Sequence, residues 1–340
     1  MNNPIPSLRM PAEWEHHSSV LLAWPHAETD WAPMLEEAQK CFADIIRAIS
    51  AREHVILVGP ERLCAASVAA QGFDPERVTF VDVPTNDTWA RDFGPITIFT
   101  PSGRRLVDFK FNGWGLKFAS DRDNLINSRL VAKGILPAKL KNQLSFVLEG
   151  GSIESDGAGT LLTTSECLLS PNRNGGLSRA QIQDHLCRVL GFDHVLWLDH
   201  GALAGDDTDS HIDTLARFAP DDTIVYCGPG DDGDPNNPSL IAMREQLRAF
   251  RTALGDPYNL IELPLPAPIY DADGMQLPAT YANFLIAPGV IYMPSYRQPR
   301  RDFLASQILK VAYPGHEVVS LDCVPLIQQH GSLHCITMQL

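Results

Sequence analysis

Short, apolar, β-branched runs recur along almost the whole chain, at residues 20–24, 54–58, 78–83, 106–111, 145–148, 195–198, 223–227, 285–293 and 318–321. Each is too short for a stable helix and is flanked by turn-forming residues, so each reads as a buried strand. Helical periodicity lies between them. Over residues 33–50, Met34, Leu35, Ala38, Cys41, Phe42, Ile45, Ile46 and Ile49 follow the spacing of one helix face. Ser178 with Gln181 forms a capping box. Asn237-Pro238 opens a further helix, with Gly255 as its stop. Another is predicted over 299–312, ending before Pro314 and Gly315. Strands alternating with helices predict an α/β fold, and no low-complexity linker interrupts them, so residues 1–340 read as one domain. No internal repeat is visible by eye.

Charge narrows the class of function. The net charge is −14 and the pI near 5.1, which argues against a nucleic-acid footprint or an anionic membrane surface and leaves small cations as ligands. The longest apolar run, 284–293, is about half the roughly 20 residues a membrane span needs. The amino-terminal stretch lacks a basic region followed by an apolar core, which predicts a protein that stays in the cytoplasm. Seven widely spaced cysteines without a C-x-x-C pair read as free thiols rather than disulfides or a zinc site.

The acidity is uneven. Residues 199–234 hold ten Asp against one basic residue, Arg217. Isolated Asp residues make turns, but this density invites a binding role. Within the segment, His211 and Asp213 would share one face of an extended strand, an arrangement suited to metal ligation, acid–base work or a purely structural pair. The loop 85–95 combines Asp87, Trp89, Arg91 and Asp92 ahead of Gly94-Pro95, as either a site or an ion-paired loop. Glu149 precedes Gly150-Gly151, where backbone can approach a ligand closely. At the carboxyl end, Cys335 sits among Ser332, His334 and Thr337. Most free cysteines are small buried hydrophobes. His334 would point away from Cys335 on a strand, so a base for that thiol has to come from elsewhere, and His211 is the natural choice.

These residues sit in longer motifs: MPAEWEHHSSVLLAWPH, NDTWARDFGPI, DFKFNGWGLKF, LEGGSIESDG, SECLLSPNRN, GDDTDSHIDTLARF, ATYANFLI and HGSLHCITMQ. Together, from about residue 10 to the end, they resemble the agmatine deiminases, in the peptidyl-arginine-deiminase-like branch of the guanidine-modifying enzymes. The resemblance implies a pentein fold, an α/β propeller of five pseudo-symmetric strand-and-helix modules around a central site. It implies Cys335 as nucleophile and His211 as general acid/base, with Asp92, Glu149 and Asp213 holding a guanidinium beside Trp89. No metal or organic cofactor is implied. The implied reaction converts agmatine to N-carbamoylputrescine and ammonia, a step toward putrescine, through an amidino-cysteine. Asp206, Asp207 and Asp209 are candidates for the distal ammonium, with Asp207 the one carried forward. The loops 112–122 and 228–238 are candidate lids. The implied partner is a small cationic guanidine, with no nucleic acid or membrane, and a homo-oligomer is allowed.

Three rivals stand beside this reading. Peptidyl-arginine deimination is the first. The second is a manganese ureohydrolase, because Asp209-x-His211-x-Asp213 also fits its D-x-H-x-D ligand pattern. Such a bimetal site needs further ligands, and Asp271-Ala272-Asp273 is the nearest second cluster, in the wrong context. A non-enzymatic binding protein is the third.

Overall fold

The computed structural model describes residues 8–15, 17–137 and 140–340. Residues 1–7 of the stretch inspected for a signal lie outside these, as does His16 of the first motif. Among the described residues there are sixteen strands in five sheets. In chain order the strands are β1 (Ser19–Ala23), β2 (His54–Gly59), β3 (Val78–Asp82), β4 (Ile96–Thr100), β5 (Gly103–Lys110), β6 (Leu140–Val147), β7 (Ile153–Ser155), β8 (Thr160–Thr164), β9 (His194–Leu198), β10 (Ala216–Ala219), β11 (Thr223–Cys227), β12 (Asn259–Leu263), β13 (Leu285–Ala287), β14 (Val290–Ser295), β15 (Glu317–Asp322) and β16 (Met338–Gln339).

Four sheets share one plan: β4-β5-β6, β7-β8-β9, β10-β11-β12 and β13-β14-β15 each pair their first two strands antiparallel and their last two parallel. A parallel pair needs a crossover, and here each crossover contains a helix, respectively Ile126–Ala132, Arg179–Leu190, Asn237–Ala249 and Pro299–Ala312. The fifth sheet repeats the plan with strands from both ends of the chain. β16 is antiparallel to β1, and β1 is parallel to β2 through the helix Leu35–Ser50, with β3 added outside. The last strand therefore completes the first module, and the five-module α/β propeller closes without a covalent bond.

Burial explains which elements were readable. Every residue of β1 and β11 is buried, as middle strands require; β8, equally buried, holds Thr160, Thr163 and Thr164 around two leucines and so offers no apolar run. The helix Leu35–Ser50 buries Ala38, Cys41, Phe42, Ile45, Ile46 and Ile49 and follows a 3-10 turn at Ala32–Met34, two residues later than the periodicity starts. The capping box of Ser178 and Gln181 is formed. The helix Asn237–Ala249 stops well before Gly255 because Phe250 turns extended. The run 285–293 is a hairpin, β13 and β14, folded at Pro288-Gly289.

Six strands were not legible: β4, β7, β8, β10, β12 and β16. Four of these are the first strands of their sheets, which face one another around the axis. Glu154 on β7 pairs with Arg217 on β10 at 3.0 Å, and β4, β7 and β16 line a chamber of about 680 Å³. Strands that line a polar axis do not show an apolar run. Among the described residues, no helix is long and apolar enough to cross a membrane.

Closure of the ring rests on few contacts. Leu340 exchanges backbone hydrogen bonds with Ser18 and Ser19 at 2.8 and 2.9 Å, and Met338, 3% exposed, packs where a Cβ on Gly94 or Gly150 would stand. Met338→Ala should therefore cost about 2–5 kcal/mol, as buried Met truncations do. Denaturant midpoints measure this, and a cost below about 0.5 kcal/mol would show that the closing strand is not tightly packed.

Candidate active site

The loop before each axis-lining strand delivers a polar side chain to the same end of the propeller. Asp92 precedes β4, Glu149 precedes β7, His211 and Asp213 precede β10, Asn283 precedes β13 and Cys335 precedes β16. Gly151 stands where three of them meet. A Cβ on it would lie 2.7 Å from His211 Nδ1, 2.9 Å from Asp92 Oδ1 and 3.1 Å from Asp213 Oδ2. Only a residue without a side chain leaves that space to them.

His211 and Asp213 do come together, but not by strand alternation. His211 caps a 3-10 turn, Ile212–Thr214, of which Asp213 is the middle residue, reached through Asp209 and Ser210 in left-handed conformation at φ 64° and 60°. Asp206 secures that conformation by accepting hydrogen bonds from Thr208 Oγ1 at 2.6 Å and from the Ser210 backbone N–H at 2.7 Å. Asp92 is fixed by Trp114 Nε1 at 2.8 Å and the Gly151 N–H at 3.0 Å, and its Oδ1 lies 3.6 Å from His211 Nδ1. Asp213 Oδ2 accepts from His334 Nδ1 at 2.7 Å, while its Oδ1 is buried without a partner. Cys335 Sγ lies 3.4 Å from Asn283 Oδ1 and 3.9 Å from Asp213 Oδ2.

Electrostatics sets the resting state. Burial, then the charges of Asp213 and Asp92, push the Cys335 thiol well above the usual range. Burial pushes His211 down to about 3, so at neutral pH a neutral thiol and a neutral imidazole share the site. Burial and the charge of Asp213 raise Asp92 well above the carboxylate range. Burial also acts to raise Asp213, but the His334 hydrogen bond and charge outweigh it and hold that carboxyl below its ordinary value. An entering cation would relieve this crowding of negative groups.

Glu149 departs from the expectation that it holds a guanidinium. It is fully buried, both its oxygens accept from Arg173 Nε at 2.9 and 3.0 Å, and it is not on the pocket wall. Among the described residues, Glu149, Cys167 and His211 form the one cluster with metal-ligand side chains within 4.8 Å of each other. It fits a metal poorly, since Arg173 already engages the carboxylate and burial raises the Cys167 thiol well above its usual range. The D-x-H-x-D pattern does not converge at all. Asp209 turns to Lys117 at 2.6 Å and to Arg173, whereas Asp213 turns to His334.

Above Cys335 opens a pocket of about 620 Å³ walled by Trp89, Asp92, Trp114 and Phe118, with Asp30, Asp87, Asp207 and His330 among its other lining residues. Trp89 and Asp207 thus stand where the sequence placed them. Asp206 and Asp209 serve the loop instead. Of the two candidate lids, 112–122 supplies Trp114 and Phe118 and is tied by Lys117 to the Asp207 carbonyl at 2.5 Å, whereas 228–238 does not reach the pocket. Asn283, Arg173, Glu13 and Asp30 were missed, and Asp87 was named only as part of its loop. Asn283, Arg173 and Glu13 lay inside quoted motifs, and Arg217 was conspicuous as the lone base in an acidic segment.

The comparisons agree with this geometry. The family model of the Porphyromonas-type peptidyl-arginine deiminases matches residues 9–340. The agmatine deiminase of Stutzerimonas stutzeri (strain A1501) is 35% identical over 97% of this chain and 94% of its own length. The structure of a Cys→Ser variant of C. jejuni agmatine deiminase with substrate bound superposes with a TM-score of 0.91 at 36% identity, covering 98% of this chain and 96% of that one. A dimethylarginine dimethylaminohydrolase, at 13% identity and a TM-score of 0.52 over 95% of this chain and 100% of its own, shares the pentein fold alone. With its family model matched from residue 9 to the last residue, this chain belongs to the Porphyromonas-type peptidyl-arginine deiminase family.

Proposed function

We propose that the protein hydrolyses agmatine to N-carbamoylputrescine and ammonia, acting in the cytoplasm as a single catalytic domain over residues 1–340. One observation carries this reading: the pocket has the Cys335 thiol and the Asp92 carboxylate at its floor and three further acids, Asp30, Asp87 and Asp207, on its wall. A substrate with a guanidinium at one end and an ammonium at the other matches both regions. The family's deiminase name and the agmatine deiminases among the relatives support it.

In this reading Asp92 and the free Oδ1 of Asp213 bind the planar cation edge-on and leave its carbon exposed to Cys335. Neutralising the two carboxylates lowers the cost of ionising the thiol. The thiol proton passes to His211, Cys335 Sγ bonds to the guanidinium carbon, and His211 returns the proton to the departing nitrogen, which leaves as ammonia. A positively charged thiouronium remains on Cys335. Water then attacks the same carbon with His211 as base. The C–S bond breaks, one water proton restores the thiol through His211, and the other passes to solvent, where the ammonia already released takes it up as ammonium. Glu149, held by Arg173 within 4.8 Å of His211, stands beside the imidazole rather than against the substrate. A blocked arginine lacks the distal ammonium and forgoes the acidic wall.

The wall acids give a pH signature. Burial and the charge of Asp30 push Asp87 up to about 7, and burial pushes Asp207 up to about 6. A raised carboxyl gains its proton as pH falls through that value, so attraction for the ammonium is lost on going from pH 8 to 6. The kcat/KM for agmatine should fall over this window relative to that for n-butylguanidine, and Asp87→Asn should raise KM for agmatine about ten-fold or more while sparing n-butylguanidine. Parallel profiles and equal KM effects on the two substrates would remove the distal-ammonium assignment. Side-by-side assays with a blocked arginine peptide separate the peptidyl reading.

Cys335 reactivity provides a second check. Because Asp213 raises the thiol, Asp213→Asn should speed alkylation of Cys335 at pH 8 severalfold while reducing kcat/KM for agmatine by at least a hundred-fold, as read by peptide mass spectrometry and ammonia release. Unchanged alkylation would mean that the carboxylate does not govern the thiol. Mass spectrometry should also trap a covalent amidino adduct on Cys335, and Cys335→Ala should abolish it.

A further inference from the structure

His334, the neighbour of Cys335 in sequence, turns away from the pocket and is 2% exposed. Its Nδ1 lies 2.7 Å from Asp213 Oδ2, and its Nε2 lies 2.8 Å from Glu13 Oε2 and 3.2 Å from Arg217 Nη2. Glu13 is itself held, its Oε1 by the Ile286 N–H at 2.7 Å and its Oε2 by Arg217 Nη2. Arg217, wholly buried, donates to Glu154 at 3.0 Å and to the carbonyls of Ala282 and Phe284 at 3.3 and 2.6 Å, with its guanidinium over the Phe284 ring. Arg91, buried alongside, faces the same carboxylates.

Glu13, Glu154 and Asp213 outnumber Arg217 and Arg91 in this group, and the imidazole stands between two of the three carboxylates, with Nδ1 toward Asp213 and Nε2 toward Glu13. The other groups at Asp213 are His211, Cys335 and Asp92, none of which is cationic in the resting site.

We propose that His334 is a positioning residue: clamped from behind by Glu13 and Arg217, it grips Asp213 by Oδ2 so that the partnerless Oδ1 is presented, ionised, to the guanidinium of the substrate. This rests on the reading of the site given under Proposed function. The second row behind the nucleophile thus acts on substrate binding and on the acid side of the pH profile, without touching substrate.

The test compares wild type with His334→Asn, His334→Leu and Glu13→Gln. His334→Leu removes both donors and should raise KM for agmatine about ten- to a hundred-fold with a smaller change in kcat. His334→Asn keeps an amide near the Nδ1 position but loses the hold on Glu13. It should restore part of the KM while still moving the acid limb of kcat/KM for n-butylguanidine, which lacks the ammonium that Asp87 and Asp207 would sense, to higher pH by about one unit or more, because Asp213 without the His334 contact holds its proton longer. Glu13→Gln, isosteric and behind the ring, should move both quantities in the same direction by less. Thermal unfolding identifies the folded variants, and if His334→Leu does not fold, the two isosteric changes decide. A folded His334→Asn with KM and acid limb indistinguishable from wild type overturns the proposal. Wild-type protein that neither turns over agmatine nor binds n-butylguanidine by calorimetry would instead overturn the underlying functional reading.

Discussion

The molecule's axis already holds a guanidinium. Arg217 is buried completely and paired with Glu13, Glu154 and two backbone carbonyls, which ties β7 and β10 to the amino-terminal segment and to the loop before β13. Removing either partner of such an ensemble would strand a charge in a low-dielectric interior, a penalty of several kcal/mol. The modules therefore cannot drift apart at the axis without exposing those charges. The same chemistry recurs at Glu149 and Arg173, which anchor the third module behind His211. In each case a fixed protein cation offsets one carboxylate. At the pocket floor stands Asp92, with the partnerless Oδ1 of Asp213 buried nearby and no protein cation between them, and in the proposed reading that residual deficit is what a cationic substrate satisfies.

Five-fold repetition turns this local chemistry into a site. One plan, a short axis strand followed by a strand–helix–strand crossover, places the loop before each axis strand at one end of the ring. The sequence positions 92, 149, 211 and 213, 283 and 335 are far apart along the chain, yet they occupy corresponding places in the repeat. Cys335, the proposed nucleophile, is supplied by the segment that closes the ring, so folding of the last module and assembly of the site are one event. Gly151 completes the arrangement by yielding its side-chain volume to three neighbours.

What could be read from the sequence follows from these forces. Middle strands such as β1 and β11 are apolar throughout and announce themselves, and helices with a face or a capping box do likewise. Axis strands such as β7 and β10 hold Glu154 and Arg217 and show no apolar period, so they were not seen, and neither was the repeat they define. Residues with unusual company, Cys335, His211, Asp92 and Asp213, which the fold brings together, were identifiable from their motifs. The pairing of His211 with Asp213 was anticipated for the wrong reason, because strand alternation was assumed where a left-handed entry and a 3-10 turn act. Residues that work through another residue, Arg173 on Glu149 and Glu13 on His334, carry no local signal. Their partners are 24 and 321 positions away, and only the fold brings them together.

The resting charge states also favour selectivity. A neutral thiol next to a neutral imidazole is a weak nucleophile, and the seven free cysteines of this chain would otherwise include one reactive toward adventitious electrophiles. Burial and two carboxylates keep Cys335 protonated until a cation enters. An anionic or neutral electrophile brings no positive charge to offset Asp92 and Asp213, so it gains access without activating the sulfur. In the proposed reading, the negative potential that draws a guanidinium into the pocket is thus the same potential that holds the Cys335 thiol protonated in its absence. Binding and activation are two consequences of one electrostatic change.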